Sequence, residues 1–146
     1  MNNIKWNGKY KVIINDTKDT EINNIVTTLA INELLKGLYD NPDISIEYLA
    51  IGNGTTAPQI TDTKLDNEVY RLAFDSQSKT GDGVLETIFT IEGGDWDGTI
   101  EEIGIFGGST ATGTKDTGTL ISRVLYNKVK TSTQTFRFVR TDTITG

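Results

Sequence analysis

From Ile44 onward the chain places apolar residues two positions apart, and this period restricts its fold more than any other feature. Ile44, Ile46 and Tyr48 alternate with Ser45 and Glu47; Leu49, Ala50 and Ile51 then run on as if both faces were covered. Similar β-like runs return at 69–74 (VYRLAF), 84–91 (VLETIFTI), 99–106 (TIEEIGIF), 120–126 (LISRVLY) and 135–139 (TFRFV), the last continuing toward Ile144. With 9–14 (KYKVII), ended by Asn15 and Asp16, they make about seven strands at the spacing of an antiparallel sandwich or barrel. Roughly one residue in six is Thr, whose branched Cβ suits a pleated surface. The segment SQSKTGDG carries a Gly-Asp-Gly of hairpin type and reads as the turn before the 84–91 strand.

One segment departs from this period. In 20–40 (TEINNIVTTLAINELLKGLYD), Ile22, Ile25, Val26, Leu29, Leu34, Leu35 and Leu38 fall largely three and four apart, the stripe of an amphipathic helix. Asp19 or Thr20 would cap its start, Glu21 would oppose the helix dipole, and Asn41-Pro42 would close it. The stripe is expected to seal one side of the core. No linker or internal repeat divides the chain, and 107–119 (GGSTATGTKDTGT) reads as a flexible polar loop within one body. The expected fold is therefore mainly β: one domain over residues 1–146, an antiparallel β-sandwich of about seven strands with one packed helix.

Composition narrows the function. A formal charge of −6 and the lack of a dense Lys/Arg run argue against nucleic acid as a partner. No stretch approaches the ~20 apolar residues of a membrane-spanning helix, and the opening MNNIKWNGKYKV lacks the apolar region of a signal peptide. With no Cys there is neither disulfide nor thiol chemistry; with no His, the commonest general base and zinc ligand is missing.

The loop Gly52-Asn53-Gly54-Thr55-Thr56-Ala57 spells G-x-G-x-x-A after a strand, the lettering of a dinucleotide site. Such a site needs a helix starting at the glycines to aim N–H groups at the pyrophosphate. Here the chain continues as Ala57-Pro58-Gln59-Ile60-Thr61-Asp62-Thr63, without a helical stripe, and the expected helix precedes the strand. No Gly-Lys-Ser/Thr ending offers a P-loop either. The expectation is no bound cofactor, with glycines supplying positive φ where a strand leaves the sheet.

At this loop a resemblance emerges. YLAIGNGTTAPQITDTKLDNEVYR is similar to a recurrent segment of tailed-bacteriophage virion proteins of the tail-fibre and tail-collar type, in which a strand ends in A-[IL]-G-x-G-T-x-A-P. A Thr/Asp-rich stretch and a Leu-x-x-Glu-[VI]-x-R strand follow there; Ala50, Gly52, Gly54, Thr55, Ala57, Pro58, Leu65, Glu68, Val69 and Arg71 match. A second block, from Glu102-Ile103-Gly104 and Phe106 through Gly118-Thr119-Leu120 and Arg123 to Lys130-Thr131, resembles the same proteins. The likeness spans roughly residues 22–140, and the chain stops at Gly146 without the extended repeats of a long fibre. It implies a virion component of the tail, collar, baseplate or fibre base. The alternatives are a capsid-surface decoration or head-fibre protein, or a carbohydrate-binding adhesin module.

Several residues become candidates for contact. Gly52, Gly54 and Pro58 shape the first loop, and Trp96 stands in a second, 93–98. Glu68 with Arg71, and Glu102 with Arg123, read either as ion pairs across a subunit contact or, favoured, as exposed pairs worth about 0–1 kcal/mol. Asp95 and Asp97 are the weak candidates for Ca²⁺, yet no EF-hand register fits, because Gly93 and Gly104 fall where carboxylates belong. As a glycosidase pair, Glu101 and Glu102 would point to opposite faces of a strand, and nothing near Asp95 and Asp97 would raise a pKa. In the adhesin alternative, Trp96, Tyr70 or Tyr126 would stack on a host-surface glycan. The terminal segments NNIKWNGKY and RFVRTDTITG would either extend a neighbour's sheet or pair within their own. The sequence thus predicts a non-enzymatic virion protein without cofactor. Loops 52–64, 93–98 and 107–119 would dock it to further copies of itself, as a ring or trimer, and to neighbouring virion proteins.

Overall fold

The computed structural model describes residues 4–146, so Asn2 and Asn3 of the N-terminal pairing segment lie outside the described residues. In chain order the elements are β1 (Lys5–Ile14), β2 (Thr17–Val26), α1 (Thr28–Leu35) with a 3₁₀ turn (Lys36–Leu38), and β3 (Tyr48–Gly52). Then follow β4 (Glu68–Ala73), β5 (Ser76–Gly81), β6 (Val84–Ile91), β7 (Gly98–Gly107), β8 (Thr119–Lys130) and β9 (Phe136–Thr145). Among the described residues the nine strands form one antiparallel sheet, ordered β4-β3-β7-β8-β2-β1-β9-β6-β5 and curled into a half-barrel. The fold is mainly β, as the period-two runs predict, and the strand count exceeds the expected seven by two.

The curl turns on β2. This strand pairs along most of its length with β1 but meets β8 only at Ile25–Arg123 and Val26–Ser122. Beyond that point the two strands diverge, and Asp19 spans the gap by accepting from Tyr126 Oη at 2.7 Å and Lys128 Nζ at 3.0 Å. The Tyr126 hydroxyl is pushed well above the usual phenol range by burial, reinforced by the Asp19 carboxylate. Both halves of the sheet turn their inner faces to one core. Tyr10 and Val12 of β1, Phe89 of β6, and Phe136 and Phe138 of β9 meet Leu49, Ile51, Ile103, Ile105 and Ile121 from the other half. Alternation delivers these side chains to one side of each strand, which is why one run of period two suffices to build each wall.

The hairpin joining β1 to β2 uses Asn15 (φ 48°) and Asp16 (φ 67°), the two left-handed residues that a tight primed turn requires. That turn shortens the expected helix to its C-terminal part. Residues 17–26 form a strand, so Asp19, Thr20 and Glu21 are not at a helix start; α1 is capped by Thr27, whose hydroxyl accepts from Ala30 N at 3.2 Å and donates to Leu120 O at 2.5 Å. Only Ala30 of α1 is buried, whereas Leu29, Ile31, Leu35 and Leu38 are exposed, so the apolar stripe does not seal the core. SQSKTG is likewise an exposed edge strand rather than part of a turn; the turn is confined to Asp82 and Gly83 (φ 70°). Ile44 and Ile46 precede β3 as extended chain outside the ladder. The terminal segments pair with each other, from Lys5–Thr145 to Ile14–Phe136, within their own sheet. Among the described residues no helix is long and apolar enough to cross a membrane.

Candidate docking site

The outer face of the half built by β4, β3, β7 and β8 carries a second, smaller apolar cluster: Ala50, Leu65, Phe106 and Leu120, with Tyr48 against it. Two loops fold back over this face, 53–67 after β3 and 108–118 after β7. Each is fastened by one carboxylate and one guanidinium.

Under the first loop lies Glu102, fully buried on β7. Its Oε1 accepts from Gly54 N at 3.1 Å and Asn67 N at 2.9 Å, and its Oε2 from Asp66 N at 3.1 Å and Arg123 Nε at 2.6 Å. Arg123, buried on β8, reaches on to Asp62 at 3.2 Å, Asp66 at 3.1 Å and Thr56 O at 2.9 Å. Burial alone would favour the neutral form of Arg123; the Glu102, Asp66 and Asp62 carboxylates more than offset this and hold its pKa above the usual value. The whole loop is therefore drawn onto two side chains that stand beside each other on neighbouring strands.

The second loop is held by Glu68 and Arg71 of β4. Arg71 forks onto Glu68 at 2.6 and 2.8 Å, donates through its remaining nitrogen to Thr112 O at 2.8 Å and Thr117 O at 3.1 Å, and lies over the Phe106 ring at 4.5 Å. Glu68 also accepts from Asp116 N at 3.0 Å, and Asp43 accepts from the amide and hydroxyl of Ser109, both at 2.7 Å. These bonds correct two expectations. The 107–119 segment is pinned along its length, not flexible. The two ion pairs are buried and internal, not exposed surface pairs, and they join parts of one chain.

The glycines of the first loop also have a different reason from the one expected. Neither Gly52 nor Gly54 has positive φ. Instead, a Cβ at Gly52 would run into the Glu102 carboxylate and Asn67 O, and one at Gly54 into Asp66 Cβ. The glycines let the chain pass close enough to Glu102 for its amides to bond. Gly54→Ala is expected to cost about 1–3 kcal/mol through overpacking, read as a lowered urea midpoint at unchanged slope.

Gly52, Gly54, Glu68, Arg71, Glu102 and Arg123 thus converge on one face, and Pro58 sits half-buried in the loop above it. Trp96 does not join them. It stacks on Tyr70 with ring centroids 5.9 Å apart and packs against the main core. Its loop is held by Lys130, a buried ammonium that the sequence marked only as part of the second block and not as a contact candidate, which donates to Glu92 O at 3.0 Å, Trp96 O at 2.8 Å and Thr131 O at 3.3 Å. The Asp95 carboxylate accepts from Glu92 N at 2.9 Å, a turn-forming role, while Asp97 is exposed. Among the described residues no three His, Cys, Asp or Glu side chains converge as a metal would require. Tyr126, one of the three aromatics considered for sugar stacking, is buried.

Chemically, the face is a brace. The oxygens of Glu68 and Glu102 are engaged by guanidinium and backbone N–H groups, so both carboxylates are occupied within the chain. Two outer carboxylates add pH dependence. Hydrogen bonds from the Thr56 hydroxyl to Asp66 and from the Ser109 hydroxyl to Asp43 hold both below their ordinary value of 3.8. A depressed carboxylate stabilises the folded form above the unfolded pKa, and this contribution is lost as pH falls through the lower folded value. The two loops are therefore expected to stay docked down to about pH 4 and to loosen below it. Hydrogen exchange of the Thr56 and Ser109 amides across that range checks this.

Comparisons with protein-family models, with curated proteins and with solved structures found no match.

Proposed function

We propose that the chain is a structural component of a tailed-bacteriophage virion, without catalytic activity, that works by self-association and by docking to neighbouring virion proteins. The observation that supports this reading most is the bracing of the two loops. Four charged side chains are spent inside the chain to hold 53–67 and 108–118 against a stiff sheet. A surface of fixed shape is what repeated, symmetric contacts need, because little ordering entropy is lost on docking. In this role the facing halves of the curled sheet act as the layers of a sandwich, and the loops are the parts offered outward. The two sequence blocks similar to tail-fibre and collar proteins supply the residues of the braced face, so the likeness and the brace concern the same residues.

The test is immunogold labelling of purified tailed particles from a culture carrying the gene, with mass spectrometry of the same particles. Labelling at a fixed position, tail or capsid surface, is the expected result. Recovery only among unassembled soluble proteins, or turnover of a substrate by the purified chain, would overturn the reading. A glycan array separates it from the adhesin alternative, for which sugar binding by a monomer is the signature.

A further inference from the structure

We propose that two copies of this chain associate about a two-fold axis, each inserting the apolar ridge at the end of α1 into an apolar groove beside the same ridge on the other. The inference deepens the self-association part of the function proposed above.

The groove opens where the half-barrel leaves its core uncovered. It is about 350 Å³ in volume, lined by Trp6, Leu34, Ile44, Ile46, Leu85 and Ile144, with Lys79 on its rim. The ridge adjoins it. Leu34 belongs to the groove wall, and Leu38, one turn further on, is 84% exposed, followed by Tyr39 at 72%. Leu35 and Ile31 extend this exposed strip back along α1. Adjacent large apolar side chains this exposed mark a contact surface more than ordinary monomer surface.

The position of the ridge decides the symmetry. A projection and a recess on opposite sides of a subunit generate rings or filaments. Side by side on one face they form a self-complementary patch, which a two-fold axis satisfies twice. Charge supports a second copy as the occupant. Asp40 follows Tyr39 directly, is exposed, and among the described residues its carboxylate accepts only from the neighbouring Asn41 amide. Lys79 is held by Asp82 no closer than 3.9 Å, with both side chains in solvent. Seating Leu38 and Tyr39 in the partner's groove brings each Asp40 toward the partner's Lys79, so the ends of the contact are complementary in charge as its middle is in shape. The other charges beside the ridge, Glu33 and Lys36, are paired with each other.

The experiment is sedimentation equilibrium with light scattering on the whole chain. The wild type is expected at twice the chain mass at micromolar concentration. Leu38→Glu, at a site too exposed to disturb folding, is expected to raise the dissociation constant by about thirtyfold or more, with unchanged far-ultraviolet circular dichroism. Lys79→Glu and Asp40→Lys should each weaken the pair, and the combined variant should regain affinity. A monomer at all concentrations, a trimer or ring, an oligomer indifferent to Leu38→Glu, or charge changes that fail to compensate would each overturn the proposal. A pair found in solution but absent from virions would leave this contact standing and sink only the virion role. A virion protein unaffected by Leu38→Glu would do the reverse.

Discussion

Glu102→Leu is expected to destabilise the chain by about 3–5 kcal/mol in urea or guanidinium titrations, because it removes the buried partner of Arg123 and leaves that guanidinium only the partly exposed Asp62 and Asp66. In an ordinary buried pair, replacing both partners with apolar residues of similar volume restores stability. Here the double variant Glu102→Leu/Arg123→Met is expected to remain well below wild type. Glu102 also accepts from the amides of Gly54, Asp66 and Asn67, and Leu would leave all three without an acceptor. Each unmet buried donor costs roughly 1–3 kcal/mol. Protection of these amides against hydrogen exchange should fall in the single and double variants alike. A double variant as stable as wild type would mean that Glu102 serves Arg123 alone and that the loop is held by something else.

Arg140→Met carries the second large effect, again about 3–5 kcal/mol. Arg140 is fully buried beneath the ring of Tyr10, at 4.9 Å, and donates to Asp142 at 2.9–3.2 Å and to Ser122 Oγ at 2.9 Å. Trp6 Nε1 completes the cluster by donating to Asp142 at 2.8 Å. With Met, the largely buried Asp142 loses its guanidinium partner and keeps the Trp6 indole as donor. Arg140→Lys, which preserves charge but not the planar fork, should fall between the two, since an ammonium cannot face Asp142 and Ser122 with the same geometry. The indole fluorescence of Trp6 is a local reporter of the loss.

Much of the sheet is legible along the chain because its strands are half-buried and alternate cleanly. The 84–91 run coincides with β6, and 69–74, 99–106 and 120–126 fall on β4, β7 and β8 within a few residues. The misreading at 20–40 has a specific cause. Ile22 and Val26 are four apart, a spacing that fits a helical stripe and a strand face equally, and the inward positions between and before them are Asn24 and Thr20, which carry no hydrophobic signal. Tertiary pairing with β1, set by the Asn15-Asp16 turn, decides the matter. β5 was hidden for a simpler reason: as a fully exposed edge it has no apolar face to alternate. Gly52, Gly54, Glu68, Arg71, Glu102 and Arg123 lie together on one face, apart from Trp96, and the burial of the four charges was not legible. A charge in a strand gives no sign of whether a loop will later close over it. Arg140 and Asp142 sit in phase with the inward-facing Phe136 and Phe138, and that phase was the available clue.

The closing of the sheet by β1 against β9 has a consequence for how the chain reaches this state. Lys5 pairs with Thr145, so β1 waits for β9, the strand farthest from it along the described residues. Until then the β1–β2 hairpin presents a bare row of amides and carbonyls to whatever else is nearby. All-β topologies with such distant pairings fold in milliseconds to seconds, and an open edge in that interval is where chains stick to one another. Crowding many nascent copies together, as abundant synthesis does, therefore sets a race between intramolecular closure and aggregation. Loss of β9 would leave the edge of β1 open for good.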